Sequence, residues 1–189
     1  MEAIMVSIIS LWLPILVSAV FVFIVSSALH MVFKYHNSDF TKLPDEDGVM
    51  QDLRKYNIPP GDYAMPRAVT SKEMSAPEYA EKAKNGPVAL LTVAKNGMPK
   101  MGKALVLWFI YIIVVGIFAA YIAGRALGPG APYLAVFRFT GVAAFIAYTI
   151  GGWQDTIWYS RKPSTSIKNT IDGLIYALVT AGTFGWLWP

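Results

Sequence analysis

The sequence predicts an all-α integral membrane protein with four transmembrane helices, on three observations. Hydrophobic residues make up 55% of the 189 residues and charged residues 15%, whereas soluble domains carry about 25% charged residues. Four windows are long and apolar enough to cross about 30 Å of hydrocarbon. The charges are concentrated between the first two windows, since 20 of the 28 lie in residues 34–103. The chain therefore divides into a first transmembrane helix (1–33), a polar segment with short helices (34–103) and a bundle of three transmembrane helices (104–189).

The first window runs from Ile4 to about Leu29 and contains no charged residue. Pro14 is expected to kink this helix, because proline donates no backbone hydrogen bond. The chain opens with Met1-Glu2 and the apolar run is long, so a transmembrane helix is favoured over a cleaved signal peptide, which opens with positive charge. This helix has serines rather than a row of small residues, and we expect it to pack peripherally or against a partner.

The polar segment carries signals for short ordered elements. Acidic residues from Asp45 precede the apolar positions Val49, Leu53 and Tyr56, which predicts a short helix that stops at Pro59-Pro60-Gly61. Ser75 to Glu78 has the spacing of a capping box, and the helix that it opens should stop at Asn85-Gly86. Residues 88–93 then form an extended run. The alternative, a disordered linker, is disfavoured because turn signals and tyrosines are regularly placed.

Three further windows follow the polar segment. The second span covers Ala104 to about Ala123, the third Tyr133 to about Trp158, and the fourth about Ile171 to Trp188. A Gly-Pro-Gly-Ala-Pro turn separates the second and third spans. Trp186 and Trp188 are placed where aromatic residues anchor a helix end at the membrane surface.

Lysine and arginine near the ends of the spans predict the orientation. These residues are retained on the cytoplasmic side, and they flank the polar segment and fill the loop between spans three and four, while the opposite loop holds only Arg125. We expect a multi-pass membrane protein, with both termini outward and residues 34–103 cytoplasmic. The basic residues that decide this are Lys34, Lys100, Lys103, Arg161, Lys162 and Lys168.

Small residues recur every fourth position in spans two to four. Such rows lie along one helix face and let helix backbones approach closely. They predict that spans two to four form a compact bundle, or else that one row mediates self-association. The rows are Gly116, Ala120 and Gly124; Ala143, Ala147 and Gly151; and Gly173, Ala177, Ala181 and Gly185.

Ionisable residues within or beside the spans are the candidate functional residues, because a charge at membrane depth is costly. Arg138 lies in span three, and Asp155 and Asp172 lie near the inner ends of spans three and four. We expect the two aspartates to share Lys168, Arg161 or Lys162. The candidate contacts for a substrate or ion are Arg138, Asp155, Asp172 and Lys168. The competing interpretation is a structural ion pair, with an arginine that reaches the headgroups.

No other pattern in the sequence predicts chemistry. The absence of cysteine excludes disulfides and thiolate sites. His30 and His36 are six residues apart, which would place them on different faces of one helix, so interfacial histidines are favoured over a metal or haem site. No catalytic set is evident. We therefore predict no cofactor, no bound metal and no enzymatic activity. Basic and acidic residues alternate in the polar segment, which does not favour nucleic-acid binding.

Several stretches resemble a family of small, uncharacterised bacterial inner-membrane proteins with four helices. They are the carboxyl-terminal run from Ile171 to Pro189, Leu43-Pro44-Asp45-Glu46, Pro60-Gly61-Asp62-Tyr63 and Gly130-Ala131-Pro132-Tyr133. The resemblance implies a bacterial inner membrane and implies no catalytic residue.

The function predicted from these patterns is that of a non-enzymatic accessory, scaffold or assembly component of a membrane complex. Its partners would be the lipid bilayer and either a foreign protein or further copies of the chain. The alternative is a small oligomeric transporter or channel that uses Arg138 and Asp172, and a lipid-directed enzyme using Asp155 and Asp172 is less favoured.

Overall fold

A computed structural model describes residues 5–189, so the predicted start of the first span at Ile4 lies outside the described residues. The chain forms two compact units. We call the first, which ends at Phe40 and resumes over Lys100–Pro189, the helix unit. We call the second, Thr41–Pro99, the intervening unit.

The elements of both units are short turns, helices and one pair of strands. In chain order they are a 3₁₀ turn at Ile9–Leu11, α1 (Trp12–Met31), a 3₁₀ turn at Tyr35–Ser38, α2 (Glu46–Arg54), β1 (Gly61–Met65), α3 (Ser71–Met74), α4 (Pro77–Asn85), β2 (Ala89–Val93), α5 (Met101–Ala126), α6 (Tyr133–Thr149), a 3₁₀ turn at Ile150–Gly152, α7 (Trp153–Tyr159) and α8 (Pro163–Trp186).

Three helical stretches of the described chain are long and apolar enough to cross a membrane. They are Ile9–Met31, Met101–Ala126 and Tyr133–Tyr159, and between 22% and 39% of the most apolar window of each is buried. The remaining apolar surface faces outward, as lipid-facing surface does. Four spans were predicted, but α8 does not meet the same criterion because polar residues occupy its first turns. A fourth span stays a prediction.

The four long helices of the helix unit form a closed ring. Helix α1 packs against α5 and α8, and α6 packs against the same two helices. The expectation that the first span lies at the periphery of a bundle of spans two to four is wrong. The small residues of α5 allow α1 and the segment before it to approach closely. A Cβ on Gly116 would contact Ile15 at 3.4 Å, and one on Gly124 would lie 2.6 Å from the carbonyl oxygen of Val6.

The ring has two distinct ends. At one end the Val6 amide donates to the Gly124 carbonyl at 3.0 Å, and the Gly130 amide donates to the carbonyl of Pro189 at 2.6 Å. The Trp188 indole donates to the carbonyl of Gly128 at 3.0 Å. The described start of the chain, the α5–α6 loop and the carboxyl terminus therefore lie together. The opposite end holds the end of α1 and the start of α8.

Close packing of α6 and α8 depends on small residues in α8. Gly173 lies against Thr149 and Tyr148, Gly185 lies against the Tyr133 ring, and a Cβ on Gly141 would come within 3.1 Å of Ala181. Small residues permit this approach where a larger side chain would separate the helices. Of the remaining small residues, Ala120 and Ala177 are buried, Ala143 is half-buried, and Ala147 and Gly151 are exposed.

The intervening unit contains short elements around an antiparallel hairpin. Asp45 caps α2 by accepting from the Gly48 amide at 3.2 Å, and α4 ends at Asn85, which confirms both predicted helices. The predicted capping box is wrong, because Ala76 is the N-cap of α4 and no side chain caps it. Strand β2 confirms the extended run; it pairs with β1, from Gly61↔Val93 to Met65↔Ala89.

Candidate functional site

A left-handed turn at the end of α1 brings the two histidines together. Lys34 adopts φ 50°, and the 3₁₀ turn that follows carries His36 back towards the helix that it left. The rings of His30 and His36 stack with centroids 4.5 Å apart and an angle of 28° between their planes. The expectation that these residues lie apart is wrong, because it assumed one continuous helix.

His36 lies between two carboxylates. Its Nε2 is 2.8 Å from Oδ2 of Asp172 in α8, and its Nδ1 is 2.6 Å from Oδ2 of Asp39. His30 Nε2 lies 3.5 Å from the same Asp172 oxygen, and the Tyr176 hydroxyl is 3.4 Å from His30 Nε2. One carboxylate oxygen of Asp172 therefore faces two imidazoles.

Lys168 completes the group, which we call the histidine–aspartate cluster: His30, His36, Asp39, Lys168 and Asp172. The ammonium of Lys168 donates to Oδ1 of Asp39 at 2.7 Å, to the Ser38 hydroxyl at 2.6 Å and to the Tyr35 carbonyl at 2.9 Å. Three charge-assisted hydrogen bonds are a strong tie between two segments. These hydrogen bonds from Lys168 hold the 3₁₀ turn after α1 against the start of α8.

The two aspartates and His36 of the cluster are largely shielded from solvent. The side chains of Asp172 and Asp39 are 4% and 7% exposed, and that of His36 is 15% exposed. Oδ1 of Asp172 is buried and makes no hydrogen bond within the described chain. An unpaired buried carboxylate oxygen is costly, so a group of this kind calls for an explanation.

Asp39 is held in its charged form. Burial alone would raise the pKa of its carboxyl group, but the hydrogen bonds from Lys168 and His36, together with their positive charge, outweigh burial and lower the pKa from its ordinary value of 3.8. The Asp39 carboxylate therefore remains a charged partner for both Lys168 and the Nδ1 side of His36 at neutral pH.

A cavity of about 180 Å³ opens beside Asp172. Aromatic side chains form part of its wall, and their rings pack edge to face: the centroids of Tyr148 and Tyr176 are 5.5 Å apart and those of Trp108 and Tyr176 are 5.9 Å apart. The cavity is lined by His30, Trp108, Tyr148, Thr149, Gly152, Ser166, Asn169, Asp172 and Tyr176. A small molecule or several waters would fit beside the Asp172 carboxylate.

Two kinds of chemistry suit this arrangement. A histidine between two carboxylates can hold a proton and pass it between them. One ligand atom each from His30, His36 and Asp172 also lie within 4.8 Å of one another, and two imidazoles with a carboxylate are a ligand set for a divalent transition metal.

The sequence-predicted site residues fall into two groups. The structure brings Asp172 and Lys168 into the cluster, where Lys168 pairs with Asp39 rather than with Asp155 or Asp172. Arg138 is exposed on α6 and Asp155 is exposed on α7. Arg138 precedes Thr149, which lines the cavity, by eleven residues of α6, or about 16 Å along the helix axis at 1.5 Å per residue. Arg138 and Asp172 therefore do not form one site.

Sequence reasoning missed His30, His36 and Asp39 as members of this group. The available signal was their sequence, with His36 and Asp39 three residues apart just beyond an apolar helix. These residues meet only in the folded chain. A positive φ at Lys34 turns the chain back, and the turn contacts α8 through Tyr35 and Lys168, which are 133 residues apart.

Comparison of the chain with protein-family models, with curated proteins and with solved structures finds no match.

Proposed function

We propose that this protein is a non-enzymatic component of a membrane complex, an accessory or assembly subunit that holds a protein partner through its intervening unit. One observation carries the proposal. Ala68 is the single buried residue of the intervening unit, so this unit has almost no core of its own. Its exposed apolar residues include Leu43, Met50, Tyr56, Val69, Met74, Val88 and Leu90.

The hairpin of the intervening unit supports the same proposal. A two-stranded sheet is marginally stable in water, and within the described residues β1 and β2 pair only with each other. Each strand therefore presents an unpaired edge, which is a template for a strand of another chain. A unit with exposed apolar side chains and free strand edges gains stability when a partner covers it.

The charge of the intervening unit favours a protein over a lipid surface as the partner. Residues 41–99 contain eight Lys or Arg and eight Asp or Glu. Attraction to anionic lipid needs an excess of basic residues, with each contributing about 1 kcal/mol. A segment without net charge lacks this attraction, whereas mixed charges around apolar residues are typical of the rim and core of a protein interface.

We place the protein in a bacterial inner membrane with α8 as a fourth span, both termini outward and residues 34–103 cytoplasmic. The ends of α8 support a fourth span. Its start contacts the turn that follows α1, and its end contacts the α5–α6 loop through Trp188. Helix α8 therefore runs between the same two ends as the three apolar helices. Its buried polar residues, Asp172, Thr180 and Thr183, face the bundle rather than lipid.

The alternative function, an oligomeric transporter or channel using Arg138 and Asp172, receives little support from the geometry. Arg138 is exposed on the outside of α6, where it can reach the headgroups, while Asp172 is buried on α8. A substrate would have to contact both sides of the bundle wall to use the two residues together.

Site-specific cross-linking in native membranes tests the proposal, because the chain contains no cysteine. Leu90→Cys places a thiol on the exposed face of β2, and Val106→Cys places a matched control thiol on an exposed position of α5. We expect a benzophenone maleimide attached to the thiol of Leu90→Cys to cross-link it, on irradiation, to one foreign protein. The control should give no such product.

A second variant tests whether this contact holds the complex together. Leu90→Arg should release the partner from the particle purified in mild detergent while leaving the thermal midpoint of the helix unit unchanged. A particle that contains only copies of this chain, or a partner that survives Leu90→Arg and is not cross-linked, would contradict the proposal.

A further inference from the structure

We propose that His30, His36 and Asp172 bind one divalent transition-metal ion at the end of the helix ring. The ligand atoms come from α1, the turn that follows it and α8, and they lie within 4.8 Å of one another. Two of them already have a suitable spacing: His30 Nε2 and Asp172 Oδ2 are 3.5 Å apart. In a tetrahedral zinc site with bonds of about 2.0–2.1 Å, ligand atoms are about 3.3 Å apart.

The unpaired oxygen of Asp172 points independently to a cation. Its Oδ1 has no hydrogen-bond partner among the described residues, and water cannot easily replace one because the side chain is only 4% exposed. Desolvation of a carboxylate oxygen is unfavourable unless another group compensates it. A metal ion bound by both oxygens of the carboxylate and by the two imidazoles would supply that compensation.

Asp39 and Lys168 form the outer layer that such a site needs. Metal-binding histidines usually donate their second ring nitrogen to a carboxylate, which fixes the tautomer and orients the ring. His36 Nδ1 is 2.6 Å from Asp39, and Asp39 in turn is held by Lys168 at 2.7 Å. With Nδ1 paired to Asp39, Nε2 of His36 faces Asp172 and offers its lone pair to a metal once the proton between them has left.

Metal binding replaces a proton at this position. In this structure His36 Nε2 and Asp172 Oδ2 share a hydrogen bond of 2.8 Å, which requires one proton between them. The metal takes the Nε2 lone pair and the carboxylate, and the proton leaves to solvent. Three protein ligands leave a coordination position open, and the cavity beside Asp172 has room for a water or another small ligand there.

The ligand set defines the class of ion. Imidazole nitrogen suits zinc, iron, copper and nickel, whereas calcium and magnesium prefer oxygen ligands alone. Two histidines and one carboxylate with an open position are shared by zinc sites and by iron(II) sites. The proposal therefore covers divalent transition metals, and Zn²⁺ and Co²⁺ serve as probes.

Titration of the full chain with Zn²⁺ tests the proposal. The protein is purified in mild detergent, stripped with a chelator and titrated calorimetrically. We expect one Zn²⁺ per chain and release of a proton, seen as a heat that depends on the buffer. His36→Ala and Asp172→Asn should abolish saturable binding, whereas Asp155→Asn, which changes an exposed aspartate, should bind as the wild type does.

Two further measurements separate coordination from a structural role. Asp39→Asn should weaken Zn²⁺ binding by about 10- to 100-fold, the usual effect of losing an outer-layer carboxylate. Co²⁺ should give the visible absorption bands of a low-symmetry site in the wild type, and these bands should change in His30→Gln. The His30 side chain is 49% exposed, so this variant should fold even if Asp172→Asn does not.

The proposal is overturned if the wild type takes up no stoichiometric Zn²⁺. It is also overturned if folded His30→Gln and His36→Ala bind Zn²⁺ with wild-type affinity, since the ion would then lie elsewhere on the chain.

Discussion

The helix unit and the intervening unit differ in where their stability originates. The helix unit buries side chains from all four long helices, among them Val22, Ile112, Val136 and Phe184. It also contains the histidine–aspartate cluster. The desolvation cost of these charges is offset because nearly every group in the cluster is paired. In the intervening unit Ala68 alone is buried. One unit is therefore held by its own packing, and the other by local helix caps and a hairpin.

The largest expected effect is loss of packing in the helix unit. Gly173→Leu would force a side chain against Tyr148 and Thr149, where a Cβ alone would lie 3.1 Å from the Tyr148 Cβ. Overpacking of this kind costs about 1–3 kcal/mol and more when backbone must move, so we expect destabilisation of about 3 kcal/mol. Thermal unfolding in detergent, followed by tryptophan fluorescence, measures it.

Gly151→Leu is the matched control for this substitution. Nothing lies within 4 Å of the position that a Cβ would occupy at Gly151, so its unfolding midpoint should stay near that of the wild type. Equal losses in the two variants would mean that the tight α6–α8 contact is absent in solution.

Hydrogen exchange tests the contrast between the units directly. Amides in segments with few buried contacts open at lower free energy than those in a packed core. In the isolated chain we expect β1, β2 and α4 to exchange at least about 100-fold faster than the middle of α5 and α6, a difference of about 2.8 kcal/mol in opening free energy. Mass spectrometry after timed deuterium labelling gives these rates.

Bound partner should slow exchange in the intervening unit alone. Equal protection of the two units in the isolated chain would contradict this difference in stability, because it would show that the intervening unit is stable without a bound partner.

Removal of the Lys168 tie should have a smaller but clear effect. Lys168→Met deletes three hydrogen bonds and leaves the buried Asp39 carboxylate without its cation. Hydrogen bonds to charged groups contribute about 1.5–3 kcal/mol, and because Lys168 is 21% exposed we expect a loss of about 2 kcal/mol. Lys95→Met, an exposed site in the intervening unit, should change the unfolding midpoint little.

The variant also tests the path of the chain after α1. If Lys168→Met is as stable as the Lys95→Met control, the 3₁₀ turn at Tyr35–Ser38 is not fastened to α8 in solution, and the cluster has no supporting layer.

The sequence predicted the elements whose cause is local and missed those whose cause is tertiary. Long apolar windows predicted α1, α5 and α6, since lipid-spanning helices need only length and apolarity. Strand β1 was missed because Pro59-Pro60-Gly61 indicated a stop, and only the pairing with β2 makes Gly61–Met65 a strand. The cluster was missed because its members meet through a turn at Lys34, whose left-handed backbone no residue preference indicates.

Acid titration should show the smallest effect and isolates one carboxylate. The pKa of Asp39 is lower in the folded protein than its ordinary value of 3.8. The unfolded chain therefore binds a proton at this residue at a higher pH than the folded chain does, so its contribution to stability is present above 3.8 and is lost as the pH falls through the folded pKa. Unfolding midpoints measured from about pH 6 to about pH 3 should fall less steeply in Asp39→Asn than in the wild type, and the two curves should converge at acid pH. Asp155→Asn, at an exposed position of α7, should keep the wild-type slope. Parallel curves for the wild type and Asp39→Asn would mean that Asp39 is not the charged partner of Lys168. The difference in stability between the two units would then rest on apolar packing alone.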